Sequence, residues 1–519
     1  MTGFVRSSRH CAPAITLLAL LIAGCAGPSR NDTGFQTDAG GRVLSVAFHG
    51  IYDKYITAVP MSRVAEGALN RLESIDGNLA VTPDGNKLRL TDRGEQIDWV
   101  ATPADDDPDA WAQAAAHLIV AAESRSRALA AADAEDVYSQ LMRGAMQPLD
   151  PLSRYADARM ARQQRATREG YGGIGAQITV DSRGVVISSV LHDTPAARAA
   201  LRAGDIILRI DNDDVHQFDE NAVIQRLRGR VGAPVRLSLK PTGAAGPSDV
   251  LLTRALIVPE TVRLDMIGDA ALLRITSFNQ GTAQALGQMV AEARRRTNGR
   301  LSGIILDLRG NPGGLLDQAV AVADVFLPSG RIVTTRGRHP DSFQLFDATG
   351  IDVAAGAPLV LLIDGGSASS SEVVAAALQD RGRAVVVGSN SYGKGTVQNI
   401  LRLPNDGEMA LTWSRLYAPS GYSFDRLGIL PNVCTSATEE DGKTVLARIE
   451  RGEITDALRL AAWRTANELD NVQRQDLARS CPKIRGERTV DLDVARGLLA
   501  DRKLYTRALA VSSPSDAAR

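Results

Sequence analysis

Between residues 258 and 435, short apolar runs alternate with helix-patterned stretches, and no other feature restricts the fold of this chain as strongly. Leu359-Val360-Leu361-Leu362-Ile363 contains no polar residue, and residues 271–275, 303–308 and 384–387 are mostly apolar. Runs of this length and composition read as buried strands rather than half-wetted ones. Residues 282–296 carry a helical pattern between the first two runs, and 408–412 continue the strand series. Buried strands separated by helices indicate an α/β core.

At 519 residues the chain is too long for one ordinary domain and suggests two to four. Its 44% hydrophobic and 23% charged content is ordinary for globular protein. Basic and acidic side chains nearly cancel, 59 against 60, and aromatics are 4%. With no cationic excess and few stacking side chains, no nucleic-acid partner is expected.

Arg6, Arg9 and His10 precede the apolar run 12–23, and Ile22-Ala23-Gly24-Cys25 follows. A basic start, a brief apolar stretch and small residues describe an export signal. The run is too short to span a bilayer as a permanent helix. Its ending resembles a bacterial lipobox, which implies that Cys25 is lipidated and begins the mature chain; a plain signal with an incidental cysteine is the alternative. Ala26 follows instead of Asp, which favours the outer membrane. The expected location is the bacterial cell envelope, facing the periplasm. Cys434 and Cys481 lie far downstream. In an oxidising compartment they either form one disulfide or remain two buried thiols. No spacing resembles a zinc site, so neither a metal nor a cofactor is expected.

After the signal, 1–25, residues 26–42 are rich in Gly, Ser, Asp and Thr and read as a flexible tether. Residues 43–167 read as a mainly helical domain. Helical periodicity covers 44–76, a small hairpin turns at Asp84-Gly85, and further helices cover 109–132 and 135–146. Over 168–257 the period shortens, with strands at 178–180, 185–187, 206–210 and 235–239 and helices near Thr194-Pro195-Ala196 and over 220–227. The core occupies 258–435. Residues 436–519 read as a polar helical region with a disordered end.

Three core segments carry chemistry. The strand 359–363 runs into Asp364-Gly365-Gly366-Ser367-Ala368-Ser369-Ser370-Ser371-Glu372 and then a helix with Val373, Val374, Ala377 and Leu378 on its apolar face. A serine at such a junction is exposed beside the unsatisfied N–H groups of the helix start, which can stabilise an oxyanion. Taken alone, Ser369 and Glu372 are equally a capping box. The second segment is Ser391-Tyr392-Gly393-Lys394-Gly395-Thr396-Val397-Gln398. Lys394, Thr396 and Gln398 share a face if it is extended. For Lys394 to act as general base, its pKa must fall from about 10.4 toward about 7–8, roughly 4 kcal/mol of disfavoured charge, which burial can supply. Gln398 could position the amine without adding charge. Taken alone, this is a surface lysine in a glycine turn. The third segment, Asp307-Leu308-Arg309-Gly310-Asn311-Pro312-Gly313-Gly314, ends a strand in a loop whose N–H groups can face an anion. None of the six histidines, His10, His49, His117, His192, His216 and His339, lies in a segment shaped like a catalytic elbow, which favours a serine–lysine pair.

Together these segments resemble the carboxyl-terminal processing peptidases, or tail-specific serine proteases, over most of residues 45–435. The family's Ser-Ala-Ser-Ala-Ser-Glu stretch matches 367–372 and implies Ser369 as nucleophile. Its Phe-Gly-Lys-Gly-Thr-Val-Gln matches 392–398 and implies Lys394 as base, oriented by Gln398. Its Asp-Leu-Arg-x-Asn-Pro-Gly-Gly matches 307–314 and implies an oxyanion hole from the Gly313 and Ser370 amides. Leu149-Asp150-Pro151-Leu152-Ser153-Arg154-Tyr155 is similar to the family's Leu-Asp-Pro-His-Ser-x-Tyr, Leu152 replacing a histidine outside the catalytic machinery. Gly428-Ile429-Leu430-Pro431-Asn432 matches a closing Gly-Ile-x-Pro-Asp, with Asn432 in place of Asp. The resemblance implies a multidomain α/β fold: a ClpP/crotonase-like α/β protease core with a PDZ domain and an N-terminal helical domain. The implied activity is that of a serine endopeptidase with a Ser-Lys dyad, cleaving exported or envelope proteins near their C-termini.

Residues 168–257 resemble a PDZ module. Tyr171-Gly172-Gly173-Ile174-Gly175-Ala176 corresponds to the carboxylate loop, which makes Gly173, Ile174, Gly175 and Ala176 the implied peptide-binding residues. Such modules add an extended C-terminus to a sheet edge. The implied partners are polypeptides with free C-termini and, through the lipid anchor, the membrane; an adaptor or a homo-oligomer is compatible with the sequence. An inactive scaffold binding through the PDZ groove is a second reading, disfavoured by the complete Ser369, Lys394 and Gln398 set. Hydrolysis of small esters or amides is a third.

Overall fold

Strand Leu359–Ile363 is buried along its whole length because it has helices on both faces. Leu359, Leu361 and Ile363 enter one apolar cluster, and Val360 and Leu362 enter another. Each fully buried side chain of this kind contributes about 1.5–3 kcal/mol, so neither face can be left wet. The computed structural model describes residues 37–181, 184–437, 439–453, 457–467 and 470–512. The export signal, Cys25, the first part of the tether and the end of the tail lie outside the described residues; residues 37–42, expected as tether, are instead the first turns of helix Thr37–Lys54.

The core sheet has six strands in the order Val262–Ile267, Ala270–Ile275, Gly303–Asp307, Leu359–Ile363, Val385–Gly388 and Val433–Cys434. The first pair is antiparallel and the rest are parallel. Helices Thr282–Arg296, Leu316–Asp324 and Ser370–Asp380 cover one face. The other is covered by Gly442–Arg451, Thr489–Ala500 and Arg502–Ala510, which bury Val445, Ile449, Val494 and Leu498 against Ile305, Val360 and Val387. The region read as polar and helical thus covers one whole face of the core sheet. Cys434 and Cys481 are disulfide-bonded, the first of the two alternatives left by the sequence.

A second sheet orders Gln344–Asp347, Arg331–Arg336, Glu408–Tyr417 and Thr396–Arg402, and short strand Arg154–Ala156 pairs with Glu408–Tyr417. Residues 37–146 pack on that sheet. Phe48, Leu69, Trp111 and Leu141 share one cluster with Leu403, Met409 and Leu411. The continuous periodicity of 44–76 is divided into Thr37–Lys54, Met61–Leu69 and the 3-10 turn Asn70–Ser74. The first helix stops where Ile56 N leaves it to donate to Thr412 O at 2.8 Å, and Pro60, with no N–H to leave unsatisfied, precedes the next. Likewise 109–132 becomes Pro108–Glu123 and Arg127–Ala131, because the Ser126 hydroxyl caps a new start by accepting from Leu129 N at 3.0 Å. Strand Glu95–Ala101, absent from the sequence reading, extends the hairpin to three strands.

Residues 176–253 form a sheet in which Ala176–Asp181 is an edge strand, crossed by helix Glu220–Leu227. Its core of Val185, Ile187, Ile207, Val223, Leu237 and neighbours is separate from the other clusters.

Candidate active site

Gly303–Asp307, Leu359–Ile363 and Val385–Gly388 are neighbours and parallel, so their C-terminal ends lie side by side. Ligand sites of open α/β sheets form outside such ends. The loops leaving them are the three segments singled out in the sequence.

Asp364, buried at the end of its strand, ties two of these loops together. Its Oδ1 accepts from Gly310 N at 2.8 Å, Gly366 N at 2.9 Å and Ser367 N at 3.0 Å. Ala368 N donates to Asn311 O at 3.0 Å, and Ser371 Oγ donates to the same carbonyl at 2.9 Å. The turn delivers Ser369 at φ 55, ψ −111, ahead of helix Ser370–Asp380. A residue with a β-carbon there costs on the order of 1–3 kcal/mol and persists only where its surroundings dictate it. The result places Ser369 in a cleft of about 350 Å³ with Lys394, Ser370, Gly313, Leu315, Leu416, Arg154 and Arg168.

Glu372 joins this turn to the lysine loop. Its carboxylate is fully buried and accepts from Ser369 N at 2.7 Å, Ser391 Oγ at 2.5 Å, Gly393 N at 2.6 Å and Lys394 N at 2.9 Å. Burial pushes the carboxyl above its ordinary range, while the four donors pull it down. Burial outweighs them and the carboxyl stays above its ordinary range, while every partner is a donor that its two oxygens satisfy. The capping contact expected from sequence is therefore one part of a larger junction. Glu372→Gln leaves at least one buried donor without an acceptor, at about 1–3 kcal/mol each. Urea unfolding should show that loss, with peptidase activity falling alongside; unchanged stability would contradict the hub.

Burial is also the main reason the Lys394 ammonium is held below the usual lysine range; the Arg154 guanidinium pushes it further down, and Glu372 and Asp150 oppose both. Arg154 was not identified from sequence. It occupies the unspecified position of the Leu-Asp-Pro segment, so no motif marks it. Replacing it by glutamine removes the cation, so the Lys394 pKa should rise. A lysine acting as general base must be neutral to work, so in that role the ascending limb of the kcat/KM profile should move to higher pH. A limb that stays put or moves lower would show that Arg154 does not act on Lys394.

Two of the implied site residues have other hydrogen-bond partners in this structure. Gln398 does not hydrogen-bond Lys394; its Nε2 donates to Thr396 Oγ1 at 3.1 Å and Thr412 Oγ1 at 3.4 Å. Thr412 Oγ1 in turn donates to Asp150 Oδ1 at 3.0 Å, leaving its lone pairs to attract Gln398. Gly313 does not offer a free amide, because its N–H donates to Asn311 Oδ1 at 2.9 Å. The loop still abuts Ser369: a β-carbon at Gly313, φ 102, would lie 3.0 Å from both the Ser369 β-carbon and Ser370 N. Among the described residues the Ser370 amide has no acceptor, and Ser369 Oγ and Lys394 Nζ share the cleft without a hydrogen bond. Catalytic contacts of unliganded sites commonly tighten only around substrate.

Gly173, Ile174, Gly175 and Ala176 line a separate groove of about 370 Å³ between edge strand Ala176–Asp181 and helix Glu220–Leu227, with Ile178, Ile224 and Leu227. Among the described residues no group of three or more His, Cys, Asp or Glu is placed to hold a metal ion.

Residues 269–435 match the model of Peptidase family S41, and 163–240 match that of the PDZ domain. A carboxy-terminal-processing protease of Bartonella bacilliformis is 38% identical over 303 residues, 58% of this chain and 70% of that protein. The chain belongs to peptidase family S41. A carboxyl-terminal-processing protease of Synechocystis is 33% identical over 52% of this chain and 64% of its own length, and carboxy-terminal processing protease CtpA of Bacillus subtilis is 30% identical over 58% and 64%. This S41 chain is accordingly a mixed α/β serine peptidase of the carboxy-terminal processing type with a PDZ domain, and the matched core contains all three segments singled out in the sequence.

Proposed function

We propose that this chain cleaves exported polypeptides near their C-termini, with Ser369 as nucleophile and Lys394 as general base. The carrying observation is that a strained serine and a half-buried lysine, held below its ordinary pKa by burial and Arg154, meet in one cleft. Ser369 Oγ attacks the scissile carbonyl as Lys394 takes its proton. The Ser370 amide receives the oxyanion, joined by Gly313 once its N–H turns from Asn311. Lys394 then returns the proton to the leaving amine, and water, deprotonated by Lys394, releases the acyl group from Ser369. Gln398 reaches Lys394 only after leaving Thr412, so its part is to position the base when substrate is bound.

The PDZ groove would take the substrate's C-terminus. Amides of 173–176 face the carboxylate, and Ile174, Ile178, Ile224 and Leu227 favour an apolar last residue. The export signal and Cys25 support a lipid-anchored chain facing the periplasm, with the outer membrane favoured by Ala26. Peptides ending in a free carboxylate should bind the full chain more tightly than their amides, since hydrogen bonds to a charged group contribute about 1.5–3 kcal/mol. Calorimetry on matched peptides, with cleavage products read by mass spectrometry, tests this. Equal binding of acid and amide would remove the groove as carboxylate reader, and cleavage far from the C-terminus would remove the substrate class.

A further inference from the structure

The three catalytic loops share a neighbour outside the family match, which ends at residue 435. Residues 481–491 leave the disulfide at Cys481 and run across all three. At the lysine loop, Lys483 Nζ donates to Tyr392 O at 2.7 Å, and the Arg485 guanidinium lies 5.8 Å from the Tyr392 ring centroid. At the nucleophile turn, Gly365 N donates to Ile484 O at 2.7 Å, and Gly486 N donates to Asp364 Oδ2 at 2.8 Å. At the oxyanion loop, Arg309 donates to Arg488 O at 2.9 Å and pairs with Asp491 at 3.2 Å.

The lysine loop shows why one of these contacts matters. Gly393 N and Lys394 N bond Glu372, Gly393 O accepts from Arg426 N, and Gly395 bonds Asp425 and Leu416. Tyr392 N donates to Ser367 O at 3.0 Å. Among the described residues the Tyr392 carbonyl has only Lys483. That carbonyl belongs to the peptide whose N–H, on Gly393, donates to Glu372 Oε1 at 2.6 Å, so Glu372 and Lys483 hold the two ends of one peptide group. Rotation of this peptide swings Lys394, the next residue, relative to Ser369.

We propose that residues 481–491 form a positioning strap for the catalytic centre, with Lys483 as the positioning residue that fixes the Tyr392–Gly393 peptide and so the approach of Lys394 to Ser369. The proposal rests on the serine–lysine reading. The strap is largely exposed, so losing one of its side chains should perturb alignment more than folding.

The test measures kcat, KM and Tm of the full chain on one peptide for Lys483→Met, Lys483→Arg, Ser369→Ala and the double variant Cys434→Ser/Cys481→Ser. Lys483→Met should lower kcat about tenfold, the scale of small misplacements of a catalytic group, with KM and Tm nearly unchanged. Lys483→Arg should recover most of that loss, because its guanidinium can reach the same carbonyl. The double variant should lose kcat in the same sense. Lys483→Met with wild-type kcat, or a kcat loss tracking Tm that arginine does not rescue, overturns the strap. If Ser369→Ala turns over normally, the serine–lysine reading fails and the strap with it. If Ser369→Ala is inactive while Lys483→Met is unimpaired, the strap alone is wrong.

Discussion

Ser369→Ala is expected to lower kcat/KM for a peptide substrate by at least about a thousandfold, the scale on which loss of a catalytic nucleophile acts, in a chain that still folds. The substitution removes one oxygen at a helix start, about 1 kcal/mol if it also serves as a cap. Ser369→Gly adds an independent readout. At φ 55, ψ −111, the β-carbon of residue 369 sits in a region where it is strained, by on the order of 1–3 kcal/mol. Glycine relieves that strain and gives back about 0.5–1 kcal/mol through the entropy of its unfolded chain. The glycine variant should therefore be inactive and at least as stable as the alanine variant in urea unfolding. A glycine variant clearly less stable than alanine would contradict strain stored at the nucleophile.

What could be read from the sequence follows the range of the forces involved. The strand 359–363 and the turn after it are local: an apolar run, two glycines and a capping pattern. Their meeting with the loops after Asp307 and Gly388 depends on parallel pairing between distant segments, which no local pattern encodes. The motif resemblance supplied that juxtaposition. The helices beyond residue 436 read as polar because each hides only a stripe, such as Val445 with Ile449 or Val494 with Leu498. Arg154 acts through space on Lys394 from an unspecified motif position, and nothing local marks it. Gln398 was expected to face Lys394 from strand alternation. The β-bulge between Val397 and Gln398 and the Thr412–Asp150 pair draw its amide elsewhere. The engaged Gly313 amide is an Asn turn, two residues from side-chain acceptor to backbone donor, characteristic of Asn-Pro-Gly.

The central claim is that Lys394 works as a neutral amine. Charge alone is not sufficient under that claim, so a residue that keeps the charge and cannot lose it should fail. Lys394→Arg preserves a cation near Glu372 and much of the side-chain length. Its guanidinium stays protonated up to about pH 12. Lys394→Ala removes base and cation together, and both variants should lose activity on the scale of the Ser369 variants. In the wild type, protonating Lys394 disables the base, so kcat/KM should climb with pH through the range where the amine titrates. Burial and Arg154 place that range below the ordinary lysine value. The deciding measurement is kcat/KM for one peptide across pH, wild type beside Lys394→Arg. The account predicts a wild-type profile rising to a plateau and an arginine variant at background at every pH; an arginine variant retaining most of the wild-type rate, or a wild-type rate that falls as pH rises through neutrality, would contradict it.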